Sequence, residues 1–287
     1  MATVTLYTLA FLVLMQGIGG SEAAPHATQF VAVDDGVRLE VVDFGGTGRP
    51  IVLLAGLGNT AHVFDNFGPK LTKFGHVYAI TRRGFGASSR PDSGYDVARL
   101  GEDIVAVLDS LGLEAPVVIG HSIAGQELSY LASRHPVRAA ALVYLDAAYR
   151  YALDMPGEFQ KAFPTFPPPP ANPPVIVQQP HTLPEAEQRQ AAGAPAAFAA
   201  IMAGGQQFTT IGVPTLAIFA SPHDVGAAPD SDFDRFDRAL TDHQAQVFER
   251  AVPKARVLRW ARASHYLFLT READVVQEVA AFLATLS

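Results

Sequence analysis

The feature that most constrains the fold is a set of short runs, apolar at nearly every position: Ile51 to Ala55, His76 to Ile80, Pro116 to Ile119, Ala140 to Leu145, Thr215 to Ala220 and Val257 to Ala261. A strand covered on one face alternates apolar and polar side chains, whereas a strand covered on both faces has no need of polar positions. Between the runs lie helical patterns. Ile104, Val107, Leu108 and Leu111 share one face, with Gly112 standing where a C-terminal glycine belongs. Ala124, Leu128, Leu131 and Ala132 mark a second helix that Pro136 ends, and Val275, Val279, Phe282 and Leu286 trace a third. Strand and helix alternating in this way predict an α/β chain with a doubly wound, mostly parallel sheet. Ahead of it, Phe30 to Val33 and Val37 to Val41 flank Asp34-Asp35-Gly36 and read as a hairpin.

One stretch interrupts the rhythm. Residues from about 147 to 210 contain nine prolines between Phe163 and Glu185, and proline neither donates to a ladder nor continues a helix. The second half, Leu183 to Met202, reads as helix. Phe163, Phe166, Val175, Ile176, Phe198 and Met202 give the insertion enough apolar surface to fold down as a cap or lid.

At the N-terminus, Leu6 to Met15 is an apolar run of signal-peptide length, and Ser21-Glu22-Ala23 offers a cleavage pattern. The expected organisation is a signal peptide over 1–23 and one domain over 24–287, giving a periplasmic or secreted protein. The run falls well short of the roughly 20 residues needed to span a bilayer, so no stable membrane insertion is expected after cleavage.

Composition removes several classes. The chain has 287 residues, 49% of them hydrophobic, enough for a substantial core. It has no cysteine, which excludes disulfides, thiolate zinc sites and a cysteine nucleophile. The net charge is -7 and no basic run occurs, which argues against nucleic acid as a partner. No pair of histidines has the spacing of a metal site. His26, His76, His135, His181 and His243 read as solvated or structural.

The chemistry concentrates at Val117-Val118-Ile119-Gly120-His121-Ser122-Ile123-Ala124-Gly125. An apolar strand runs into a sharp turn bearing Ser122 and then into a helix, an arrangement that strains the serine backbone and exposes its hydroxyl. Small residues two before and two after the serine let strand and helix pass closely. A hydroxyl needs a base to take its proton and a carboxylate to orient that base. Two further strands end in such groups: Thr215 to Ala220 runs into His223-Asp224, and Val257 to Ala261 runs towards His265. Nucleophile Ser122, acid Asp224 and base His265 therefore each follow a predicted strand. Asp146, after the strand Ala140 to Leu145, is the alternative acid, its bland reading being a cap for the next segment. His223 reads as a loop-surface histidine, and His121 as packed beneath the turn. Asn59, Thr60 and His62 are possible pocket residues.

With these motifs the chain resembles the α/β-hydrolase fold superfamily over nearly its whole length after residue 28. The segment Arg83-Gly84-Phe85-Gly86-Ala87-Ser88-Ser89-Arg90-Pro91 is similar to the family's R-G-x-G-x-S-x-x-P, while Ala124 departs from the usual G-x-S-x-G. The resemblance implies a serine esterase or lipase-like enzyme using Ser122, His265 and Asp224, with no cofactor or metal, acting on a small-molecule acyl ester. It implies oxyanion donors at the backbone N–H of Ile123 and, from Ala55-Gly56-Leu57, of Leu57. It also sets the proline-rich insertion where relatives carry their cap. Lactonase, thioesterase and C–C bond hydrolase activities share the same triad. Relatives that hydrolyse epoxides or haloalkanes use aspartate where this chain has Ser122.

Two readings from other classes compete. Gly56-Leu57-Gly58-Asn59-Thr60-Ala61 matches a dinucleotide fingerprint, with Arg82 and Arg83 near a 2′-phosphate position, which would make an NADP-dependent reductase. A non-catalytic ligand-binding protein on the same scaffold is the other.

Overall fold

The computed structural model describes residues 26–149, 197, 200, 201 and 211–286. The segment 1–23 and most of the insertion expected over 147–210 lie outside the described residues. Strands β1 (Ala27–Asp34) and β2 (Val37–Gly45) form the expected antiparallel hairpin, turning at Gly36 with φ of +65°. They extend a sheet of eight strands in the order β1-β2-β4-β3-β5-β6-β7-β8. The remaining strands are β3 (Pro50–Leu54), β4 (His76–Ile80), β5 (Val117–His121), β6 (Ala141–Leu145), β7 (Thr215–Ala220) and β8 (Ala255–Trp260). Pairing is parallel from β4 through β8 and antiparallel at β1-β2 and β2-β4.

The continuous apolar runs are apolar because both sheet faces are covered. Successive residues of β3 point to opposite sides: Val52 and Leu54 join one core, Ile51 and Leu53 the other. On the first face pack Ile104, Val107 and Leu108 of α2 (Val97–Ser110), Leu128 and Leu131 of α3 (Gly125–Arg134), and Phe248 of α4 (Asp232–Ala251). On the second lie Leu71 of α1 (Gly68–Leu71), Leu267 and Phe268 of α5 (Leu267–Thr270), and Val275, Val279 and Phe282 of α6 (Glu272–Leu283). Burying one such side chain fully contributes about 2 kcal/mol.

Two differences from the sequence reading stand out. The last strand begins and ends earlier than Val257 to Ala261, so Ala261 already belongs to the loop. The twenty-residue helix α4 went unread, although it carries its own start signal. Ser231 accepts a hydrogen bond from the Asp234 amide, and Asp232 and Asp234 occupy the first turn. Its inner face is mixed, with buried Asp237, Thr241 and Gln244 among apolar residues, so the apolar periodicity that reveals other helices is diluted.

Of the helix expected over Leu183 to Met202, residues 197, 200 and 201 are described and are helical. Ala197 and Ile201 are buried in a small cluster with Phe85, Tyr95, Leu100 and Ile123, against which Leu57 packs. The tail of the insertion thus covers the ground beside the serine turn. Among the described residues no helix is long and apolar enough to cross a membrane.

Candidate active site

Strand order reverses around β3, whose neighbours are β4 on one side and β5 on the other. At such a reversal the loops leaving the two strands diverge and open a crevice beyond their carboxyl ends. The loops bordering it are Ala55 to Thr60 after β3 and the turn at Ser122 after β5.

Ser122 has φ of +54°, a left-handed conformation that costs a residue with a side chain about 1–2 kcal/mol. The turn is held by tight packing behind it. A Cβ added to Gly120 would lie 3.0 Å from Leu128 Cδ1 and 3.2 Å from Ala124 Cβ. A side chain at position 120 would therefore crowd the packing before the serine, whereas the Ala124 methyl fits, fully buried against that same glycine. A Cβ on Gly56 would meet His121 Nδ1 at 2.8 Å and Ser122 Cβ at 3.2 Å, so the β3 loop lies directly against the serine turn.

That loop is fastened from below. Arg82 donates to the Ala55 carbonyl at 2.9 Å and to that of Gly56 at 3.4 Å, and the Asn59 amide also donates to Gly56 O. A trans peptide points its C=O and N–H in opposite directions. With Gly56 O held by Arg82 and Asn59, the N–H of Leu57 is aimed away from Arg82. The Arg82 guanidinium in turn makes a bidentate pair with Glu127 of α3, at 2.6 and 2.7 Å.

His265 follows β8 in a loop laced to the one after β7, where His223 bridges Ala263 in parallel register and the Asp224 amide donates to Ala263 O. The His265 Nδ1 lies 2.6 Å from Asp146 Oδ2. A carboxylate only accepts, so Nδ1 carries a proton, and in the neutral ring Nε2 is the nitrogen with the lone pair. The His265 carbonyl accepts from His121 Nε2 at 3.0 Å, and the two rings lie 4.6 Å apart. His121 is wedged between His265, Tyr266 and Phe268 beneath the turn. Complete burial, with His265 nearby, pushes its pKa well below the ordinary value and keeps it neutral. Ser122 and His265 thus meet at one rim through His121, and no hydrogen bond joins the Ser122 hydroxyl to the His265 ring in this arrangement; such bonds are often long before substrate is present.

The carboxylate hydrogen-bonded to His265 is that of Asp146, the alternative acid, and not that of Asp224. Asp224 is exposed, and among the described residues its carboxylate accepts a 3.4 Å contact from the Gly226 amide alone. Asp146 is fully buried at the end of β6, with φ of +48°. Its Oδ1 accepts from the Ala220 amide at 2.8 Å and the Tyr149 hydroxyl at 2.5 Å, and its Oδ2 from His265 and, at 2.8 Å, from His223 Nε2. Burial opposes ionisation, but the His223 and His265 imidazoles outweigh it and hold the carboxyl far below its usual range.

His223 is correspondingly no surface residue. Its Nε2 faces Asp146 and its Nδ1 faces Asp237 at 3.0 Å, while its backbone amide donates to Asp237 at 2.6 Å. Burial lowers its pKa, but Asp146 and then Asp237 override this and push it up to about 10. Both ring nitrogens therefore carry protons. The sequence signals that were available are slight: a histidine beside the expected acid, and an aspartate facing inward from a helix that went unread.

Other expectations resolve differently. Arg82 and Arg83 are buried in ion pairs with Glu127 and Asp103, so neither offers a free cation for a 2′-phosphate. Asn59 accepts from the Tyr266 hydroxyl, Thr60 caps the short helical turn at Ala61–Phe64, and His62 lies between Asp65 and Glu40. Asp146, His223 and His265 have ligand-type atoms within 4.8 Å of one another. Both nitrogens already donate to the same carboxylate oxygen, so this group is a hydrogen-bonded chain and not a set of converging lone pairs.

A family model described as the alpha/beta hydrolase fold matches residues 49–188. Epoxide hydrolase A of Mycobacterium tuberculosis is 38% identical over 122 residues, which are 41% of this chain and 38% of that protein. The chain spans less than half the length of the curated relatives it matches. Among solved structures, a bromoperoxidase from Bacillus anthracis superposes with a TM-score of 0.68 at 19% identity, over 90% of this chain and 100% of that one. An esterase from a Rhodococcus species gives 0.68 at 19% identity, over 91% and 99%. At these identities the two structures report the fold alone.

Proposed function

The chain belongs to the α/β-hydrolase fold superfamily, and we propose that it is a serine hydrolase cleaving carboxylic esters with Ser122 as nucleophile, His265 as base and Asp146 as the orienting acid. The observation that carries this reading is the 2.6 Å link between His265 Nδ1 and buried Asp146, beside a serine strained to positive φ.

His265 Nε2 takes the Ser122 proton as the oxygen attacks the acyl carbon, and Asp146 stabilises the imidazolium that forms. The oxyanion faces the amides of Ile123 and Leu57, each such donor being worth about 3 kcal/mol in the transition state. The alcohol leaves with the proton from His265, and water releases the acid by the same route. Phe85, Ile123, Leu57 and the buried Ala197 and Ile201 beside the turn favour an apolar acyl or alkyl group. Lactone, thioester and C–C substrates would use the same groups.

The likeness to an epoxide hydrolase supports a different reaction, in which a carboxylate opens an alkyl carbon. Position 122 offers a hydroxyl, whose product with an epoxide would be an ether that water does not release by the same route. The acyl reading is therefore preferred. Labelling the full chain with a fluorophosphonate, followed by peptide mapping, tests it. The expected result is one adduct at Ser122, lost in His265→Ala; an unlabelled, folded protein would overturn the proposal.

A further inference from the structure

A second cluster of ligand-type side chains lies away from the triad. His26 stands at the mouth of β1, Glu40 lies on β2, His62 sits on the short turn after the β3 loop, and Asp65 ends that turn. We propose that His26, His62 and Asp65 bind a zinc ion, with Glu40 orienting His62 from behind.

The spacing fits. His62 Nδ1 lies 3.2 Å from Asp65 Oδ1, His26 Nε2 lies 4.0 Å from the same oxygen, and all three ligand atoms fall within 4.8 Å of one another. Ligands about 2.0–2.1 Å from a tetrahedral zinc stand roughly 3.4 Å apart, so shifts of a few tenths of an ångström to about one ångström complete the geometry. Two imidazoles and a carboxylate suit zinc, whereas calcium and magnesium take oxygen ligands.

The surroundings also fit. The other ring nitrogen of His62, Nε2, is 3.3 Å from Glu40 Oε1, and Glu40 Oε2 accepts from Thr81 at 2.6 Å. A metal-binding histidine almost always gives its second N–H to a carboxylate, which fixes its tautomer and raises its basicity. Glu40 and Asp65 are both buried, and among the described residues their ion-pair partners are histidines alone, with no lysine or arginine. With neutral imidazoles the cluster carries two negative charges, which one divalent ion balances. The side chains of His26, His62 and Asp65 keep 20, 12 and 11% exposure, which leaves water able to fill the fourth position. Local spacing hid this group from the sequence reading, because His26 and His62 lie far apart in the chain and meet only across the β1-β2 hairpin.

The test is calorimetric titration of zinc chloride into the full chain stripped with EDTA. One zinc per chain is expected, with a Kd in the low micromolar range or tighter and a Tm rise on the order of 5–10 °C at a hundredfold excess over Kd. His26→Gln and His62→Gln should each weaken binding at least about tenfold, and Glu40→Gln about 10–100-fold. His26 stands at the outer end of its strand, so its variant remains informative if His62→Gln fails to fold. His223→Gln should bind zinc as the wild type does. No saturable binding, unchanged binding in His26→Gln, or binding lost only in His223→Gln would each overturn the assignment.

Discussion

Asp146→Asn is the sharpest test of the acid assignment, because the carboxylate uses both oxygens fully. Four donors converge on it, from Ala220, Tyr149, His223 and His265. An amide offers one accepting oxygen and one donating nitrogen. Whichever way it turns, two of the four donors lose their acceptor and face N–H groups instead. If the oxygen stays with Ala220 and Tyr149, the nitrogen faces both imidazoles, and His265 is driven towards the wrong tautomer. Breaking one side of a buried, charge-assisted group costs about 3–5 kcal/mol. At roughly 2–4 °C per kcal/mol for a chain of this size, Tm should fall by about 6–20 °C. Loss of the oriented tautomer lowers turnover by about 10³–10⁴ in comparable triads. Asp224→Asn alters an exposed side chain whose one hydrogen bond among the described residues is from an amide at 3.4 Å, so its stability should change by less than about 0.5 kcal/mol and its kcat/KM hardly at all. The assay is hydrolysis of a short-chain p-nitrophenyl ester at a temperature where each variant is folded, with thermal melts alongside. A larger loss in Asp224→Asn than in Asp146→Asn would refute the assignment.

Ser122→Gly should abolish ester turnover while raising Tm by a few degrees, since glycine adopts φ of +54° without the strain that serine bears; a lower Tm would show that the turn is unstrained. His223 should make stability depend on pH. Its folded pKa is raised from 6.5 to about 10, so its contribution is complete below pH 6.5 and is lost as pH climbs through about 10, with a slope of up to about 1.4 kcal/mol per unit. Urea denaturation at intervals from pH 6 to 10 should therefore show the gap between wild type and His223→Gln narrowing steadily. A gap constant across that range would mean that the ring is not held protonated.

Much of this was legible from residue order. The six apolar runs became six parallel-sheet strands because burial on both faces leaves no polar positions, and the positions flanking Ser122 announced a close strand-to-helix passage. Ser122 and His265 are the residues proposed as nucleophile and base because each follows such a run. Choosing between Asp146 and Asp224 lay beyond local pattern. Both follow strands, and what separates them is which carboxylate the neighbouring strand reaches: the Ala220 amide of β7 binds Asp146 across the sheet. That choice depends on register, which the sequence of either strand alone does not encode. His223 was misread for the same reason, since its second anchor, Asp237, comes from a helix whose inner face is too polar to betray itself.

The Arg82–Glu127 pair has a consequence for how such an enzyme can change over evolutionary time. One guanidinium ties the carbonyls beside one half of the proposed oxyanion hole to the helix that starts just behind the other half. The two halves are thereby braced as a single unit. On the function proposed above, the spacing of the two amide donors is then set by buried core groups, so residues lining the crevice can change substrate range without retuning the chemistry.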